Sequence, residues 1–509
     1  MAQSRTLQRG KPHLAFVLLS SLLLSFVYAL FLYTSNTPLG PSYSSDSSIY
    51  MTMGTALAHH YRPYLDIWDH KGPILFLLQW IPQSFGDGYL TLPIFLQEVL
   101  FLFFTLLVIA AFSTRFFTVS SLLPQILYLA FTCSLVGEGN LSEEYTNLFT
   151  WIALYALFEV FQTETSSSLP SKHVIRRFAG IVGLCFMVCF LTRANNALPI
   201  AAFVFGMILS LIVRRQWSIL LASASGFILG CLLILLPVVL WLAANGALLA
   251  SYEASILHNI LYSGTTSEYT VGRLRELLFS DYGHTALFFA LLSLAGALCY
   301  LFTKSYDFSL SFALSSFASL LGAFISHKYY DHYLMLGIPL AVISGTLLLT
   351  KCHKLQLRAS WMKRLIYLPL IPCTLWLVLQ CSLANSRRLE ARKTLPTFFE
   401  NAKSLVSEIP ESERSSIYPY RVEPKWDVAA GVLPCFRYYF LQEVLADANP
   451  AIMDEIVAFF ESSPPNWVVI YTSDRSFSPP YDPRVAAIFE TKYEEVKTAG
   501  DYRLLNLRH

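Results

Sequence analysis

Five short segments collect the residue types that could do chemistry: Asp46; Asp66 with Asp69, His70 and Lys71; Glu138 with Glu143 and Glu144; Arg193; and His332 with Tyr333. A carboxylate can take the proton of a hydroxyl as a general base. Lysine and arginine donors can hold charge that grows on a phosphate oxygen. Together they suit a reaction in which a hydroxyl is deprotonated and an anionic group departs. Each residue also has a plainer use. Asp46 fits a helix N-cap before Ile49, and Lys71 fits an interfacial lysine whose stem lies along apolar surface. Asp66 and Asp69 fit ion pairs with Arg62 or Lys71 that merely hold a loop. Glu143 and Glu144 fit the positive end of a helix dipole, while Arg193, His332 and Tyr333 fit anchors at a membrane interface. His59, His60 and His327 lack the tight spacing of zinc ligands.

The elements that must position these groups are set by an apolar composition. Of 509 residues, 55% are hydrophobic and only 14% charged, which places the chain in the membrane class rather than among soluble folds. A span of the ~30 Å hydrocarbon core takes roughly 20 helical residues. Eleven stretches qualify, near 14–33, 91–113, 118–136, 145–162, 178–192, 197–213, 217–243, 284–303, 308–326, 333–350 and 364–384. Pro73 to Phe85 is apolar but short, ends at Gly86-Asp87-Gly88, and reads as a segment lying on or re-entering the membrane. The first run follows a basic start like a signal peptide, but its length and lack of a small-residue cleavage pattern favour a retained anchor.

Short loops on the side of the N-terminus hold fifteen Lys and Arg residues against six on the other side. By the positive-inside rule the N-terminus is cytoplasmic. All five chemistry-bearing segments then face the opposite side, together with loops 34–90 and 244–283 (Glu253, His258, Arg273 and Arg275) and everything after residue 384. Eight of the nine cysteines fall in or beside spans, so Cys435 stands alone in the tail and no disulfide within it can form. The tail is more polar, with Pro-bounded short elements: a helix starting at Asn449-Pro450 and running through Phe460, a strand over Trp467–Tyr471 and a last strand over Tyr502–Leu507. The expected fold is mainly α, a polytopic transmembrane bundle over residues 1–384 with a small exported α/β domain over 385–509. Asp46 to His59 reads as a surface helix capped by Ser47 or Ser48. No internal repeat, glycine-rich phosphate loop or nucleic-acid motif is present.

A site at a membrane face that pairs carboxylates with cations suits a lipid-linked phosphate whose tail stays in the bilayer, and sugar transfer from such a carrier fits. Tyr64-Leu-Asp-Ile-Trp-Asp-His-Lys-Gly-Pro73, Asn140-Leu-Ser-Glu-Glu-Tyr145, Thr192-Arg-Ala-Asn-Asn196 and His332-Tyr333, following an Asp after the first span, are similar in order and sidedness to a known pattern. They resemble the GT-C integral membrane glycosyltransferases, in particular the protein O-mannosyltransferases, aminoarabinose transferases and rhizobial core galacturonosyltransferases, over about residues 14–350. The resemblance implies Asp46 as general base or acceptor-binding carboxylate and Lys71 as the phosphate contact of a Lys-Pro-Pro element. Here Gly72 replaces the first proline and leaves the backbone freer. It also implies Glu143 and Glu144 as the second acidic site, with the inward-pointing one left open.

Arg193, Asp69, His70, His332 and Tyr333 complete the candidate donor-binding set. The oligosaccharyltransferases of the superfamily this chain resembles bind a divalent metal through an Asp-x-Asp pattern, and no such triplet stands in the outer loops here, so no cofactor or divalent metal is expected. The expected partners are a polyprenyl-phosphate sugar, an envelope glycan, lipid or protein acceptor, and the bilayer of the plasma or inner membrane, but no nucleic acid. A transporter or flippase of sugars or lipid-linked sugars is the alternative. Such proteins are commonly built from repeats with interrupted helices at matching positions, and this sequence has none.

Overall fold

Long apolar runs with few internal polar groups leave the backbone one way to satisfy its own hydrogen bonds in a lipid environment, the α-helix. A computed structural model describes residues 14–117, 119–161, 171–264, 275–276, 279–302, 306–325, 329–354, 368, 370–472 and 482–508. Helices α1 (Leu14–Leu32), α2 (Ser45–Ala58), α3 (Pro73–Gln83), α4 (Thr91–Phe116), α5 (Leu122–Thr132), α6 (Ser142–Phe161), α7 (Lys172–Thr192), α8 (Leu198–Val213) and α9 (Trp217–Ala244) build the first half. Helices Asp281–Phe302, Tyr306–Phe324, Ile338–Lys354 and Leu370–Val406 follow. Among the described residues, eight helical stretches are long and apolar enough to cross a membrane. The other three expected spans fall on α5, which has 11 residues, on α6, whose first turns are polar, and on the 37-residue helix Leu370–Val406.

Close backbone contact sets the packing of α7 on α9. A Cβ on Gly230 would lie 1.9 Å from the carbonyl oxygen of Gly180, and one on Gly226 would lie 2.2 Å from that of Arg176. Gly226 and Gly230 are four apart, the spacing that lets membrane helices approach closely. The main apolar core lies among these helices, with Phe112, Trp151, Phe158, Phe203 and Phe312 at its centre.

Between α1 and α4 the chain forms the first loop with its two helices. The N-cap of α2 is Ser44, whose Oγ accepts the Ser47 N–H at 3.3 Å. Ser47 and Ser48, expected as caps, are instead buried one turn further on. Pro73 starts α3 at a position where its missing N–H costs nothing. At 11 residues α3 is about 16 Å long, too short to cross ~30 Å of hydrocarbon. It buries Leu75, Phe76 and Gln79 and exposes Trp80 and Ile81.

Helix Leu370–Val406 passes without a break through residues 384 and 385, from an apolar first half into a charged second half. It leads to a four-stranded sheet in the order β1 (Ile417–Pro419), β2 (Trp467–Tyr471), β4 (Tyr502–Leu507), β3 (Tyr493–Ala499). β1 pairs parallel with β2, while β4 is antiparallel to both β2 and β3. Both strands expected from the sequence appear, and the helix after Asn449-Pro450 runs Ala451–Ser462. This unit sits on the first loop. Tyr439 donates its hydroxyl hydrogen to the Ile49 carbonyl at 3.2 Å, Tyr89 to that of Val432 at 2.7 Å, and the Trp68 N–H reaches the Arg437 carbonyl at 3.1 Å. One apolar cluster runs from Ile49, Tyr64 and Trp68 to Tyr418, Tyr438 and Phe460.

Candidate active site

The turn before α3 is fastened to the end of α7. Gly72 donates its N–H to the Thr192 carbonyl at 2.9 Å. A Cβ at Gly72 would stand 2.1 Å from the Leu191 carbonyl oxygen, closer than real side chains come. Its φ of −76° is open to any residue, so closeness, rather than the backbone freedom expected from the sequence, accounts for the missing side chain. This clamp places Lys71 next to Arg193, the residue that ends α7.

Lys71 is 7% exposed. Its Nζ stands 3.7 Å from an Asp69 carboxylate oxygen and 5.5 Å from the centre of the Tyr50 ring. The same Asp69 oxygen accepts the Lys71 N–H at 2.7 Å, and the Tyr64 hydroxyl donates to the Lys71 carbonyl at 2.9 Å. Asp69 is fully buried, and burial holds its carboxyl above the usual range against the opposing pull of Lys71. Burial, reinforced by Lys71 and Arg193, drives the His70 imidazole well below its usual value and keeps it neutral. Asp69, 3.7 Å from the Lys71 Nζ, is the ion-pair partner of that lysine, and His70 adds no second cation beside it.

Arg193 forms the other cationic wall. One guanidinium nitrogen donates to Glu143 Oε1 at 2.8 Å and another to the Tyr333 hydroxyl at 2.7 Å. Its carbon lies 4.3 Å from the centre of the Tyr333 ring, within range of a cation–π contact. Tyr333 meets His332 edge to face, with ring centres 4.7 Å apart. An arginine held on both sides presents a fixed planar fork, the geometry suited to phosphate.

Asp46 lies in the first turn of α2, partly exposed, with no hydrogen-bond or ion-pair partner among the described residues. A residue one turn on, Tyr50, feels the charges of Asp46, Glu143, Asp69 and Arg193. His332 feels those of Glu143, Asp46, Arg193 and Lys71. Residues from α2, the turn before α3, α6, the end of α7 and the segment after Tyr330 thus meet at one place. A free carboxylate next to two fixed cations is the equipment for removing a proton from a hydroxyl while a phosphate leaves.

The adjacent glutamates separate. Glu143 faces Arg193, and Glu144 turns away to accept the Leu141 N–H at 2.9 Å. With Tyr33, Glu98, Tyr128 and Tyr145 it lines a cavity of about 10 Å³, enough for one water. Beside it, Asn140 links Ser47, Gln79 and Tyr145 at 3.0, 2.8 and 2.6 Å, while Asn36 bridges Ser47 and Glu98. This network ties α2, α3, α4 and α6 together.

Of the remaining expected residues, Asp66 is bound to Arg62 at 2.7 Å, which holds its carboxyl below the usual range. Glu138 accepts from Ser42 at 2.8 Å. His327 and Arg273 lie outside the described residues. Tyr50 and Glu98 were not anticipated from the sequence. Tyr50 could have been found from its position four after Asp46, on the same helical face, and Glu98 from a carboxylate inside an apolar run.

No protein-family model matches the sequence, and no curated protein shows significant similarity to it. Among solved structures, ArnT from Cupriavidus metallidurans bound to undecaprenyl phosphate superposes with a TM-score of 0.61. The identity is 13%, and the match covers 96% of this chain and 97% of that one. A likeness at that level is one of fold: the chain shares the overall architecture of that ArnT structure.

Proposed function

We propose that the protein transfers a sugar from a polyprenyl-phosphate carrier to a hydroxyl of an extracytoplasmic acceptor, with inversion at the anomeric carbon. The observation that carries this reading is the meeting of Lys71, Arg193 and the free carboxylate of Asp46 at one site. Its support from the fold is that ArnT, which shares it, was solved with a polyprenyl phosphate.

The carrier phosphate binds between Lys71 and Arg193, whose charges stabilise it as it leaves. Asp46 takes the proton from the acceptor hydroxyl. The hydroxyl oxygen bonds to the anomeric carbon from the face opposite the phosphate, the carbon–oxygen bond to the phosphate breaks, and polyprenyl phosphate departs. Glu143 and Tyr333 hold the Arg193 fork in place, and His332 completes that wall. Asp69 and His70 position Lys71. The reaction so drawn takes its charge stabilisation from side chains and calls on no metal. The N-terminus lies in the cytoplasm, and the site and the C-terminal unit lie outside the plasma or inner membrane. The Asp46 carboxylate, without a hydrogen-bond or ion-pair partner among the described residues, is the base of the transferase reading.

Full-length protein supplied with radiolabelled polyprenyl-phosphate sugars and envelope extracts as acceptor should move label to acceptor, and Asp46→Asn should lose at least about a hundredfold in rate. The proposal fails if no carrier is consumed, or if Asp46→Asn transfers as well as the wild type.

A further inference from the structure

A second cleft of about 90 Å³ opens where the first loop, the segment after α9 and the C-terminal unit meet. Trp68 and Tyr438 form aromatic walls with ring centres 5.4 Å apart. His258 stands edge-on to Trp68 at 5.0 Å, and its ring lies 6.2 Å from that of His70. Only the turn from Trp68 to Lys71 therefore separates this cleft from the site described above. That turn is pinned from the cleft side, since the Asn259 amide donates to the His70 carbonyl at 2.7 Å.

The polar lining decides what the cleft can take. Arg437 is paired with Glu455 and lies 4.7 Å over the Tyr438 ring, so its charge is already matched. Glu253 is exposed, and its carboxylate has no hydrogen-bond or ion-pair partner among the described residues. Burial pushes the His258 imidazole down to about 4, which leaves it neutral. The formal charge is thus negative by one, which repels phosphates and carboxylates. Aromatic faces pack well against the weakly positive C–H faces of a sugar ring, while a carboxylate and a matched arginine pair accept and donate hydrogen bonds to hydroxyls. The cleft is several times the volume of the water-sized cavity beside Glu144, enough for one face of a ring.

We propose that this cleft is an acceptor subsite that holds an uncharged sugar ring of the acceptor against Trp68 and Tyr438, with Glu253 hydrogen-bonded to its hydroxyls. The proposal rests on the transferase reading and names its acceptor class: a glycan or glycolipid carrying an uncharged sugar ring next to the accepting hydroxyl.

Full-length protein in lipid nanodiscs, probed by saturation-transfer NMR with methyl α-D-glucopyranoside and with glucose 6-phosphate, tests it. The neutral glycoside should take up saturation and the phosphate should not. Ala250→Trp, which fills the cleft from a partly exposed helix position, should abolish the effect. Glu253→Ala should weaken it about tenfold, the value of one charge-assisted hydrogen bond. Neither change touches Lys71, Arg193 or Asp46, and binding of polyprenyl phosphate should stay as in the wild type. No saturation in the wild type, equal saturation by the phosphate, or an unchanged signal in Ala250→Trp overturns the subsite. Displacement of the glycoside by polyprenyl-phosphate sugar also overturns it, because the cleft would then hold the donor. If the variants lose saturation while the wild type consumes no carrier with envelope extract as acceptor, the cleft stands as a sugar-binding site and the transferase reading falls. If carrier is consumed and the variants keep saturation, the reverse holds.

Discussion

Glu143 and Glu144 leave the same first turn of α6 for two different surroundings. Glu143 ends 2.8 Å from an Arg193 nitrogen at the edge of the cation-lined site. Glu144 ends in a water-sized cavity beside Glu98, in a network of amides and hydroxyls with no cation among the lining residues. Neighbouring helical residues point about 100° apart, so one turn can serve both regions. Counter-charge, rather than acidity alone, separates the two. A carboxylate matched by arginine stays ionised and fixes that arginine in place, whereas one enclosed with a second carboxylate braces helices.

Replacing Arg193 attacks the first region most directly. Arg193→Lys keeps a positive charge and loses the fork that meets Glu143 and Tyr333 together, so sugar transfer should fall roughly a hundred- to a thousandfold; a rate within a few fold of wild type would remove Arg193 from the reaction. The glutamates themselves give the sharpest contrast. Glu143→Gln should cost about ten- to a hundredfold in transfer, by weakening one charge-assisted hydrogen bond to Arg193. Glu144→Gln should change transfer by less than about threefold, because the amide oxygen still accepts the Leu141 N–H. Equal losses in the two variants would dissolve the distinction.

Smaller effects test the scaffold. Gly72→Ala drives a methyl group into the Leu191 carbonyl and should lower stability by about 1–3 kcal/mol, seen as an earlier thermal transition in detergent. The cleft side carries a pH signature. His258 is held at about 4 in the fold against about 6.5 in an unfolded chain. Below pH 6.5 the unfolded chain binds a proton that the folded one refuses, so the stability contributed by a neutral His258 is complete above 6.5 and falls as pH drops toward 4. His258→Gln should flatten the fall in melting temperature between pH 7 and 5, and an identical slope in both proteins would contradict that assignment.

The sequence made the helices legible because lipid leaves an apolar run of 20 residues few alternatives. It also exposed the ordered set Asp46, Lys71, Arg193 and His332-Tyr333, because charge at membrane depth is costly enough to be rare. The strands Trp467–Tyr471 and Tyr502–Leu507 were readable from β-rich composition between turns. Phase was not readable. Which of Glu143 and Glu144 faces the cations depends on how α6 is rotated in the bundle, which packing decides. The reason for Gly72 lay in a contact far away in sequence, at Leu191, and the seating of Tyr439 on Ile49 spans a still longer separation. Asp66 with Arg62 was accessible, since the two are four residues apart and pair locally.

In the proposed reaction the carrier phosphate sits between Lys71 and Arg193. Binding of polyprenyl phosphate, without sugar, to full-length protein in nanodiscs measures it directly. Lys71→Met should bind about ten- to a hundredfold more weakly than wild type through loss of one charge-assisted contact, while Glu144→Gln binds as wild type does. Undiminished binding by Lys71→Met would place the phosphate elsewhere and contradict the account.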